Sequence, residues 1–121
     1  MNARALLLAT AAGTLLQTAM VVVGHSTPSV KALFAVGGMT LSLVAGVVYA
    51  RLAAGETRGN AVVGGLLAGA LCALLGIAVS YLLGDVPATL LALGTCSSAV
   101  TGALGGFLGT LGGAPRPSAV S

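Results

Sequence analysis

Two thiols, Cys72 and Cys96, one imidazole, His25, and the stretch "TCSS" at 95–98 are the groups in this sequence that could carry chemistry. A cysteine nucleophile needs a base beside it, and a thiol pair can hold a soft metal. Both cysteines lie inside apolar runs, with neither zinc-site spacing nor a disulfide framework around them. Counted from the polar break at 83–87, they sit at similar depth on consecutive runs. Antiparallel neighbouring helices would bring them closer than two arbitrary residues, as small buried hydrophobes. His25 has no second ligand near it in sequence and reads as a solvated side chain. Ser97 and Ser98 lack the G-x-S-x-G pattern and a buried base, so they read as packing hydroxyls. "GETRG" at 55–59 has no phosphate-loop pattern, and its Glu56 and Arg58 read as a solvated loop. Gln17 is the most polar residue inside an apolar run. It reads as an interhelical hydrogen-bond donor or, with Thr14, Thr95 and Ser98, as the lining of a polar path. These residues assign no catalytic role, no cofactor and no metal, and enzyme activity is not expected.

What positions these groups follows from composition. The chain has 121 residues, 57% of them hydrophobic and 6% charged, and a mean hydropathy of +1.09. Soluble domains carry about 25% charged residues, so this chain cannot cover a surface facing water. The net charge of +3 comes from isolated charges flanking apolar runs. With no basic stripe and no stacking aromatics, nucleic acid is not an expected partner. The lipid bilayer is.

The charges divide the chain into four apolar runs. A spanning helix needs about 20 predominantly apolar residues, and strand alternation is absent. The sequence therefore predicts an all-α, polytopic membrane protein with helices over about 4–24, 28–52, 59–83 and 87–112. These form one domain over 1–112, followed by a Pro-rich, disordered tail over 113–121. "GHSTP" (24–28) should end one helix at Gly24 and start the next with Thr27 as N-cap and Pro28 in the first turn. "LGDVP" (83–87) should do the same with Gly84, Asp85 and Pro87. Arg4, Arg51, Arg58 and Arg116 fall on one side and Lys31 on the other, which places both termini in the cytoplasm of a bacterial cell with the bundle in its cytoplasmic membrane. Tyr49 and Tyr81, near opposite ends of their runs, read as interfacial anchors. The first run is longer than a signal-peptide core and is followed by no clean A-x-A site, so it reads as an uncleaved span.

Small residues recur every fourth position. Gly38, Ser42 and Gly46 mark one face of the second helix, Gly65 and Gly69 one of the third, and Gly102, Gly106 and Gly109 lie on small-residue stripes of the fourth. Helices in lipid associate where small residues let backbones approach, so these stripes are expected to be glycine-zipper packing faces. A shift of 59 residues superposes Pro28 on Pro87, Gly46 on Gly105, and the row Ala5, Ala9, Gly13, Gln17 on Gly64, Ala68, Cys72, Gly76. That pattern points to two helical hairpins of one topology, related by an axis along the membrane normal.

Through "SLVAGVVYARLAAGETRGNAVVGGLLAG" and "VTGALGGFLGTLGG" the chain resembles small four-helix bacterial membrane proteins of the YrzE-like kind. The likeness spans about residues 28–112. It implies a glycine-rich four-helix fold and transfers no functional residue. From "LLLATAAG" to "VVYARLA" the chain is also similar to the small four-helix accessory protein of bacterial ATP synthase operons, although it lacks that family's basic residues in its second half. The expected function is a non-catalytic structural or accessory role, in association with itself or other membrane proteins. The alternative is a small oligomeric transporter or channel for a small solute or ion.

Overall fold

The computed structural model describes residues 2–31, 34–53 and 55–111; the 113–121 tail and Arg116 lie outside them. The described chain is all-helical: α1 (Ala3–Ser26), α2 (Pro28–Lys31), α3 (Phe34–Leu52), α4 (Arg58–Leu82) and α5 (Thr89–Leu108). Three of these, α1, α4 and α5, are long and apolar enough to cross a membrane. The second expected helix is described in two pieces, and its apolar stretch, Val36–Leu52, is shorter. Helices α3 and α4 pack against one another and against both α1 and α5, forming a bundle with α1 and α5 on its flanks.

The helix ends refine the expected boundaries. α1 runs two residues past Gly24, and Thr27 closes it, donating its N–H to the Gly24 carbonyl. Gly84 ends α4 at φ +80°, a conformation only glycine adopts cheaply. There its N–H bonds the Tyr81 carbonyl and the Asp85 N–H bonds the Ser80 carbonyl, the paired closure of a Schellman end. The last helix begins at Thr89 rather than Pro87, and no side chain caps it. The Asp85 carboxylate expected there is engaged elsewhere.

Small residues fill the interior and large ones cover the outside. Among the described residues the buried apolar set is mostly alanine, including Ala5, Ala9, Ala45, Ala61 and Ala68, while Leu15 is 73% exposed and Leu7, Val36, Leu82, Leu93 and Val100 are similarly bare. Water would select the reverse arrangement.

Where α5 meets α3 and α4, the contacts are backbone to backbone. A Cβ placed on Gly46 would collide with the Gly102 carbonyl, and one on Gly105 with the Leu43 carbonyl. A Cβ on Gly69 would lie 2.7 Å from the Ser98 carbonyl oxygen, and one on Gly106 would strike the Ala61 carbonyl. Gly65 meets the Gly102 carbonyl in the same way, and Gly109 would come within 2.6 Å of Ala50 Cβ. Gly38 differs: a Cβ there meets only Gln17 Oε1, at 3.5 Å, so close approach does not require glycine at that position.

Positions 59 apart in the sequence also face one another. A Cβ on Gly13 would lie 2.9 Å from Cys72 Sγ, one on Gly76 2.8 Å from Gln17 Cβ, and Gly109 faces Ala50. α1 and α4 therefore run parallel with equivalent residues opposed, as do α3 and α5. The pseudo-symmetry is incomplete, because α3 packs on α4 whereas α5 and α1 share no comparable face.

Candidate functional site

Gln17 projects from the buried row of α1 into the middle of the bundle and is 2% exposed. A primary amide in such a place needs partners, since an unpaired buried polar group costs about 1–3 kcal/mol. Its Nε2 donates to Ser42 Oγ at 3.2 Å, to the Gly38 carbonyl at 3.4 Å and to Cys72 Sγ at 3.4 Å. Ser42 Oγ in turn donates to the Gly69 carbonyl at 3.4 Å, as does the Cys72 thiol at 3.4 Å. One amide thus ties α1 to α3 and α4. Gly76 makes room for it, because any Cβ there would press on Gln17 Cβ. Among the described residues no donor reaches Gln17 Oε1.

Beside this amide the helices separate, leaving a cavity of about 140 Å³. Gln17, Met20 and Val21 form its α1 side, Gly38 and Met39 its α3 side, Gly76, Ile77 and Ser80 its α4 side. Val86, Leu90, Leu93, Gly94, Ser97 and Ser98 complete it from α5 and the turn before it. Ser80 is 2% exposed, and its Oγ has no hydrogen-bond partner among the described residues. Ser97 Oγ is turned back onto the Leu93 carbonyl at 2.9 Å. No charged side chain among the described residues lines the cavity.

Of the four residues expected along a polar path, the cavity collects two, Gln17 and Ser98. Thr14 and Thr95 do not line it; their Oγ1 atoms are buried without a partner among the described residues. Towards Glu56 glycines bring the helix backbones into contact and the Tyr49 ring is buried.

The cysteines separate in character. Cys72 is buried in the Gln17 network, whereas Cys96 is exposed, which corrects the expectation of two buried thiols. Cys96 precedes the buried Ser98 by two residues, a rotation of about 200° on an α-helix, so it lies on the outer face of α5. Among the described residues no three His, Cys, Asp or Glu side chains gather as a metal site would require.

Three other expectations are corrected at the bundle ends. His25 does not stand alone in solvent: its Nδ1 lies 2.9 Å from Asp85 Oδ2, joining the end of α1 to the turn after α4. Tyr49 is not an interfacial anchor but fully buried; its ring lies where a Cβ on Gly64 would be, and its hydroxyl donates to Glu56 Oε1 at 2.8 Å. The 53–58 segment is not a free loop. Glu56 also accepts the Asn2 N–H at 2.8 Å, and Arg58 donates to Thr110 Oγ1 at 3.0 Å with its guanidinium 5.9 Å from the Phe107 ring centre. Burial pushes the Glu56 carboxyl up, but the Tyr49 hydroxyl, the N-terminal ammonium and the Asn2 N–H together outweigh it and hold the group below its ordinary value.

The unpartnered Ser80 hydroxyl, the His25–Asp85 pair and the Tyr49–Glu56 bond carry no signal in the sequence. Residues 60, 7 and 47 apart in the chain meet in the last two and in the Asn2–Tyr49 bond, so only the helix arrangement reveals them. No protein-family model matches the chain, and no curated protein or solved structure matches it.

Proposed function

We propose that this chain is a non-catalytic integral membrane protein with a structural or accessory role, of the kind represented by the small four-helix proteins it resembles. The observation that carries the reading is the inversion of residue size. Alanine and glycine fill the interior, and leucine and valine coat the outside, an arrangement that suits a hydrocarbon solvent. α3 joins the three longer helices as a fourth, shorter span. Arg4, Arg51 and Arg58 gather at the Glu56 end, which favours the cytoplasm of a bacterial cell for that end. The glycine faces are engaged within the chain, so partners or further copies dock on the leucine and valine faces.

A transporter or channel is the second reading, favoured by the cavity beside Gln17. Against it stand the absence of charge from the cavity lining among the described residues and the backbone contacts beyond it.

Gentle solubilisation of native membranes followed by identification of co-purified proteins tests the first reading. A stable membrane-protein partner or a self-assembly is expected, with no solute or ion flux from the pure protein in liposomes. Flux that Ser98→Leu abolishes would overturn it in favour of the transporter.

A further inference from the structure

The cavity beside Gln17 holds polar groups without a partner among the described residues. Ser80 carries a hydroxyl that is 2% exposed and bonded to nothing among the described residues. Alanine at this position would avoid that desolvation cost. One turn away, Gln17 spends all its described hydrogen bonds through Nε2, leaving Oε1 as an acceptor with no described donor. Apart from Ser97 and Ser98, the remaining walls are apolar, with side chains such as Met20, Met39, Ile77 and Leu90. An apolar cavity of about 150 Å³ accepts a benzene-sized molecule, and this one measures about 140 Å³.

We infer that the cavity is a binding site for a small, neutral, mostly apolar molecule bearing one hydroxyl, of the size of phenol. The apolar walls take the body of the ligand. A hydroxyl both donates and accepts, so it can bond Gln17 Oε1 or Ser80 Oγ, Ser80 standing one helical turn from Gly76, the residue that meets Gln17. The uncharged lining excludes ions, whose desolvation nothing there would offset. The site does not depend on the accessory role and could exist without it.

The full-length chain in neutral detergent, labelled with ¹³C at its methionine methyls, provides the test. The sequence has three methionines, and Met20 and Met39 both line the cavity. Phenol should shift the Met20 and Met39 signals saturably. Benzene should bind more weakly, and benzoate should produce no saturable shift. Ser80→Ala should preserve the protein's own spectrum, weaken phenol about 2- to 10-fold as expected for one hydrogen bond, and leave benzene unchanged. Gly38→Leu should abolish both, since the space beside Gly38 is open to a side chain. Shifts that never saturate, that are the same for phenol and benzoate, or that persist in Gly38→Leu would overturn the assignment. Ser80→Ala binding phenol as tightly as the wild type would overturn the role of the hydroxyl.

Discussion

Gln17 and Glu56 hold the two polar centres of the bundle, and each makes a separate prediction. Gln17→Leu keeps the volume and removes the link from α1 to Ser42, Gly38 and Cys72. Hydrogen bonds between helices in membranes contribute about 0.6–2 kcal/mol, so thermal unfolding in detergent should show a loss of about 1 kcal/mol. Glu56 is held below its ordinary value of 4.5. A carboxyl whose folded value is depressed stabilises the fold fully above its unfolded value, and that contribution vanishes as pH falls through the folded value. The stability difference between wild type and Glu56→Gln should therefore be present at about pH 7 and shrink steadily below 4.5. A difference that grows on acidification would contradict the Tyr49–Asn2–Glu56 arrangement. Gln17 was visible in the sequence as the polar residue out of place in an apolar run. Ser80 was not, because one serine among many small residues carries no mark of being unpartnered until the neighbouring helices are placed.

At the scale of helices, the small-residue rows were legible because a four-residue spacing keeps them on one face. Gly46, Gly65, Gly69, Gly102, Gly106 and Gly109 all sit where a Cβ would strike backbone or another Cβ. The pattern could not separate Gly38, which obeys the same spacing but faces the cavity, nor tell that α3 would be the short helix. Gly102→Leu or Gly106→Leu should destabilise the bundle by about 1–3 kcal/mol, the usual cost of overpacking. Leu104→Ala, on the exposed side of α5, should cost less. Melting of both leucine variants with the wild type would mean that α5 does not pack through that face. Gly84→Ala should cost about 1–2 kcal/mol for forcing a Cβ into left-handed backbone, and chemical denaturation of the variant would check it.

For the whole molecule, the expectation of lipid surroundings rests on composition, since 6% charged residues poorly clothe a water-facing surface. Composition could not indicate which face of each helix turns outward, because leucine and glycine are both apolar and only packing sorts them by size. Reporter fusions at residue 121 and within 53–58 should both read cytoplasmic if the basic residues set the orientation, and a periplasmic reading at either place would contradict it. The central claim is that the leucine and valine surface faces lipid while the small-residue interior, apart from the cavity beside Gln17, is closed to it. The most direct measurement is carbene footprinting of the protein in bilayers, comparing an apolar diazirine dissolved in the lipid with a water-soluble one, read by peptide mass mapping. Lipid-phase labelling is expected at Leu15, Leu93, Cys96 and Val100, which are exposed, and not at Ala9, Ala68 and Cys72, which are buried. Labelling of the first set from water, or of Cys72 from either phase, would contradict it.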